Sequence, residues 1–133
     1  MCKKILVAED SYALANLLSF VLKNAGFEPE IFRTGKAALE SALVHTYDVL
    51  LLDQQMPGLT GVEVVEAIRE AGVASSTPVF LCTAKCHELD LEDMRQRLGV
   101  VDVLQKPFSP KELIATLRAA TENSALVVEN NLL

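Results

Sequence analysis

The 133-residue chain contains no tryptophan and few other aromatics, two tyrosines and five phenylalanines. Its core therefore has to be assembled from aliphatic side chains. Cysteine is sparse and odd in number: Cys2, Cys82 and Cys86 cannot form the framework of a disulfide-stabilised secreted scaffold, and they fit reduced thiols. The stretch "CTAKCH" at 82–87 has no second cysteine or histidine cluster to complete a tetrahedral zinc shell. Basic residues are also in short supply. Twelve Lys and Arg against 18 Asp and Glu give a net charge of −6, and the basic residues are scattered. Phosphate backbones require clustered positive charge, so nucleic acid is excluded as a direct partner of this chain. No apolar stretch approaches a membrane span, and no membrane partner is expected. The start, "MCKKILVAED", has two lysines but only a four-residue apolar run, too short for a signal-peptide core. The expected location is the cytoplasm.

What is present fits one soluble domain. Half of the residues are hydrophobic and 23% are charged. Short apolar runs at 4–8, 48–53 and 78–82 read as buried strands, "PEIF" at 29–32 as a weaker one and "VDVLQ" at 101–105 as the last. Between them lie helical spacings. Leu14, Leu17, Leu18, Val21, Leu22 and Ala25 follow Ser11 and stop at Gly26; Ala38, Leu39, Ala42 and Leu43 follow a Thr34 cap. Val62, Val65 and Ile68 follow Thr60; Leu91, Met94 and Leu98 mark a charge-rich helix over 88–98 ending at Gly99; "SPKE" at 109–112 opens the last helix, with Leu113, Ile114 and Leu117 inward. Strands that are apolar throughout, joined through helices, predict a parallel sheet covered on both faces. The expected fold is α/β: a flavodoxin-like (βα)5 sandwich with strand order 2-1-3-4-5. The domain is expected over 1–122, with 123–133 a tail or linker stub.

The chemistry-bearing residues recur at one kind of place. Glu9 and Asp10 follow the first strand, Asp53 ends the third, Thr83 follows the fourth and Lys106 the fifth. Ligands of open α/β sheets bind outside the carboxyl ends of the strands, near the point where the strand order reverses. Three carboxylates gathered there repel one another unless a cation lies between them, and hard oxygen ligands suit Mg2+. A lysine and a hydroxyl on neighbouring strands can hold a phosphoryl group, and Asp53 in the middle is a candidate nucleophile for an aspartyl phosphate. Singly, each residue has an ordinary explanation: an exposed acidic strand end, a helix cap, a turn threonine, a solvated lysine. Their joint placement does not. His45 and His87 have no partners in view and read as surface residues.

"VAED" at 7–10, "LLLDQQMPGLTG" at 50–61, "LCTA" at 81–84 and "LQKPF" at 104–108 resemble, in this order and spacing, the CheY-like receiver domain of two-component response regulators. The resemblance spans residues 3–121. It implies that Asp53 accepts a phosphoryl group from a sensor histidine kinase or histidine phosphotransfer protein. It further implies that Asp10 and Asp53 ligate Mg2+, with help from Glu9 and the Gln55 backbone carbonyl. Lys106 would pair with the phosphoryl oxygens and Thr83 would swing to hydrogen-bond them, and Lys106–Pro107 would be a cis peptide. Gln55 and Lys85 match positions that tune the lifetime of the phosphorylated state. Such a domain is a signalling switch rather than an enzyme, catalysing only its own Mg2+-dependent phosphorylation and dephosphorylation. Its output is a separate partner or a fused domain, and part of the last helix can serve a homodimer.

Two departures stand out. Val103 occupies the position, three before the lysine, where the family usually has Tyr or Phe. The span from Thr83 to Lys106 is about one residue longer than is typical, and the extra residue is expected in the loop or helix after the fourth strand. Val103 motivates an alternative, a phosphorylation-independent interaction module on the same fold. An aspartyl-phosphate hydrolase ranks last, because those enzymes carry Asp-x-Asp on the first strand and a cap for which this chain has no room.

Overall fold

A computed structural model describes residues 2–132, with side chains described through residue 122. The apolar runs become five parallel strands: β1 (Lys4–Ala8), β2 (Glu28–Phe32), β3 (Val49–Asp53), β4 (Val79–Thr83) and β5 (Val100–Gln105). Their order is β2-β1-β3-β4-β5, as the alternation of strands and helices predicts. Helices α1 (Tyr12–Asn24), α2 (Gly35–Val44), α3 (Gly61–Glu70), α4 (Leu91–Leu98) and α5 (Pro110–Leu132) connect or follow them.

The strands alternate between two cores, because successive side chains point to opposite faces of a sheet. Leu6, Leu50, Leu52, Val79 and Leu81 pack with residues of α2, α3 and α4, among them Ala38, Val65, Ile68 and Met94. Ile5, Val7, Val49, Leu51 and Phe80 pack on the other side with Leu18 and Leu22 of α1 and Leu113 and Leu117 of α5. All five residues of β3 and of β4 are buried, whereas the edge strands β2 and β5 are partly exposed. Each fully buried leucine contributes roughly 1.5–3 kcal/mol by leaving water.

Side-chain caps set where the helices begin. Ser11, Thr34, Thr60, Asp90 and Ser109 each accept a hydrogen bond from the backbone N–H three residues on. At Thr60 the bond is reciprocated by Glu63, a complete capping box.

Several details differ from the sequence reading. Leu17 is 48% exposed, and α1 turns Ala15, Leu18 and Leu22 to the core instead. Its apolar residues occupy more than one face, so spacing alone does not choose among them. Leu43, near the C-terminus of α2, is exposed, and α3 buries Val64 where Val62 is only partly covered. The helix expected from residue 88 starts at Leu91, because Asp90 caps it; a single 3-10 turn, Cys86–Glu88, precedes it. Thr83 is the last residue of β4 rather than the first of the loop. A bulge lies within β5: Val79 pairs with Val100 but Phe80 pairs with Asp102, leaving Val101 out of the ladder. His45 and His87 are exposed. The segment 123–133, expected as a tail, lies outside the residues whose side chains are described.

Candidate functional site

The C-terminal ends of β1 and β3 meet where the strand order reverses, and the acidic residues converge there. Glu9 extends β1 by one bond, its N–H donating to the Phe32 carbonyl at 2.9 Å, and the residue is 2% exposed. One carboxylate oxygen accepts from the Ser11 N–H at 3.1 Å and the other from Lys106 Nζ at 2.9 Å. Asp10 is half-buried before α1, its backbone carbonyl accepting at 2.7 Å from Arg33, whose guanidinium lies 4.9 Å over the Tyr12 ring.

Asp53 is 2% exposed. Its Oδ1 lies 3.0 Å from Lys106 Nζ and accepts, at 3.4 Å, from the Gln55 backbone N–H. Glu9, Asp10 and Asp53 each offer a carboxylate oxygen within 4.8 Å of the others. Burial, opposed by the Lys106 hydrogen bond and reinforced by the charge of Glu9, pushes the Asp53 carboxyl up to about 6. Burial pulls Lys106 down, but its hydrogen bonds to Glu9 and Asp53 outweigh that and hold its pKa above the ordinary value. The lysine is therefore fully charged. Three carboxylates and one ammonium leave two negative charges uncompensated, which matches a divalent cation in charge and in hard oxygen donors.

Thr83 is wholly buried as a residue, and its Oγ1 accepts from the Lys85 N–H at 3.0 Å. Its backbone carbonyl accepts from the Lys106 N–H at 2.8 Å, joining the ends of β4 and β5. Lys106–Pro107 is a cis peptide, as the resemblance implied. Lys85 and Gln55 are exposed. Cys82, the register partner of Asp53, has its thiol pushed far up by burial and is no nucleophile at neutral pH.

Three features were not legible in the sequence. The Glu9–Lys106 pair links residues 97 positions apart. Gln54 fixes the turn after β3: its N–H donates to the Cys82 carbonyl, and its Oε1 accepts from the Val62 N–H at 2.8 Å. Gln105 bonds to both neighbouring loops. A glutamine at a strand end or in the turn after one carries no pattern by which either role can be read. Gly61 could have been flagged: a Cβ there would lie 2.8 Å from the Asp53 carbonyl oxygen, so α3 can press against the end of β3 only with glycine at its first position.

Residues 5–118 match the family described as response regulator receiver domain. The sensory transduction protein RegX3 of Mycolicibacterium smegmatis is 36% identical over 121 residues, which are 91% of this chain and 51% of RegX3. The chain thus spans about half the length of the curated relatives it matches. Among solved structures, the chemotaxis protein CheY4 of Vibrio cholerae is similar with a TM-score of 0.79 and 32% identity, covering 90% of this chain and 99% of CheY4. The receiver domain of sensor histidine kinase PA1611 from Pseudomonas aeruginosa, solved with a magnesium ion coordinated in its active-site cleft, has a TM-score of 0.79 and 26% identity, covering 92% and 99%.

Proposed function

From the premise that this chain belongs to the response regulator receiver domain family of two-component signalling, we propose that Asp53 is its phosphoacceptor. The observation that carries this is the convergence of Glu9, Asp10, Asp53 and Lys106 at one strand edge. Glu9, Asp10, Asp53 and the Gln55 backbone carbonyl would hold Mg2+, which when bound would screen the carboxylates from the incoming phosphoryl oxygens.

The residues divide the work. Asp53, at the end of a rigid buried strand, presents its carboxylate oxygen to the phosphorus of a phosphohistidine on a sensor kinase or phosphotransfer protein. The new O–P bond forms as the P–N bond breaks, and the bonding pair returns to the imidazole nitrogen. Lys106, already shared by Glu9 and Asp53, turns its ammonium to the transferred group and offsets its charge. Thr83 donates its hydroxyl to a phosphoryl oxygen, and the loop that follows moves with it. The modified state is one of two pre-existing arrangements whose balance phosphorylation shifts. The chain catalyses only its own phosphorylation and dephosphorylation, and its output lies in a partner or a fused domain.

No helix among the described residues is long and apolar enough to cross a membrane. A cytoplasmic site of action fits that and the need to meet a kinase.

Incubation with Mg2+ and acetyl phosphate, followed by intact mass measurement, tests this reading. One added phosphoryl group is expected, lost with EDTA or with Asp53→Asn. A chain that never gains the group overturns the reading. A partner that binds wild type and Asp53→Asn equally, with and without beryllofluoride, would establish the phosphorylation-independent module instead.

A further inference from the structure

Gln105, the last residue of β5, is exposed, yet its side chain makes three hydrogen bonds. Its Nε2 donates to the Ala84 carbonyl at 2.8 Å and to the Lys106 carbonyl at 3.0 Å, and its Oε1 accepts from the Cys86 N–H at 3.4 Å. All three partners are backbone groups. Ala84 and Cys86 flank Lys85 in the loop after β4, and Lys106 carries the ammonium shared by Glu9 and Asp53. An exposed glutamine has water as an alternative for each bond and loses rotamer freedom by being tied down. Two of its three partners here lie in the segment that follows Thr83.

The geometry points to Gln105 as a positioning residue that latches this loop in its resting arrangement and lets go when Asp53 is phosphorylated. The inference rests on the phosphoacceptor reading above and extends it to how the signal leaves the site. In the resting arrangement the Thr83 hydroxyl accepts from the Lys85 N–H. Turning that hydroxyl to a phosphoryl oxygen releases Lys85, and Ala84 and Cys86 follow their neighbours toward Asp53. Two of the three Gln105 bonds go to those residues, so the movement breaks the latch. Val103, at the position where the family usually carries a rotating aromatic ring, is a partly buried aliphatic residue packed on the core, with no ring to swing. Gln105, two residues further along the same strand, couples the loop to β5 in its place.

A latch of this kind stabilises the resting state only. Removing it raises the fraction of molecules competent for the phosphorylated arrangement, and apparent affinity for a phosphoryl mimic rises by the same factor. The test is titration of the intact chain with beryllofluoride at saturating Mg2+, comparing wild type with Gln105→Ala and with Gln105→Met, which keeps the bulk but has no amide. Both variants are expected to bind beryllofluoride about three- to tenfold more tightly, with Mg2+ affinity in its absence unchanged. In wild type, the Gln105 side-chain amide resonances should shift when beryllofluoride binds. Equal or weaker binding by the variants overturns the latch, as do unmoved amide resonances. A wild-type chain that binds no beryllofluoride overturns the phosphoacceptor reading itself, so the two failures are distinct.

Discussion

At the residue scale, the carboxylate of Asp53 sits where charge is least welcome without company. It is 2% exposed, beside Glu9 and Asp10, with Lys106 as its cationic partner. Because burial raises its pKa from the ordinary 3.8 to about 6, the folded chain binds this proton more tightly than the unfolded one. The contribution to stability is therefore complete below the ordinary value and is lost as pH rises through about 6. Metal-free Asp53→Asn should be more stable than wild type at pH 8, by about 1 kcal/mol or more. The advantage should shrink at pH 4 and be offset by Mg2+, which stabilises only the wild-type site. Paired denaturant melts with and without EDTA check this, and a variant less stable at pH 8 without metal contradicts it. Asp53 was legible in the sequence because a charge closing an apolar run demands an explanation. Gln54 and Gln105 were not, since their roles come from bonds to loops that are adjacent only in the folded chain.

At the element scale, each candidate residue is placed by how its strand or helix ends. The N-terminus of α3 packs against the carbonyl of Asp53 through Gly61, where a methyl group would come within 2.8 Å of a backbone oxygen. Gly61→Ala should cost roughly 1–3 kcal/mol, because backbone on both sides has to move. It should also slow phosphorylation by displacing Asp53, measurable as a lower rate with acetyl phosphate at equal Mg2+. The Thr60–Glu63 capping box sets the same helix start, and Thr60→Ala should lower stability by about 1 kcal/mol in thermal melts. Element identity was legible in the sequence through apolar runs and caps. The facing of α1 was less so: Leu14, Leu17, Leu18, Val21 and Leu22 populate more than one side, and only the sheet and α5 decide that Leu18 and Leu22 go inward. The bulge at Val101 left no local signal, because it comes from the register of β5 against β4.

At the scale of the whole molecule, a sheet of order β2-β1-β3-β4-β5 gathers residues from positions 9, 10, 53, 83 and 106 along one edge. The fully buried β3 and β4 hold Asp53 and Thr83 in place, while the loop beyond β4 is tied to β5 by hydrogen bonds that can be exchanged. A stiff sheet whose ends carry loops is what a phosphorylation switch needs, and the chain spans about half the length of its curated relatives. Asp53 is proposed as the residue that takes the phosphoryl group. Phosphorylation with acetyl phosphate and Mg2+, borohydride reduction and peptide mass spectrometry test it most directly, because reduction converts an aspartyl phosphate to homoserine. Homoserine is expected at position 53 and at no other aspartate. Homoserine at Asp10, or at no position while the intact chain still gains a phosphoryl group, would contradict it.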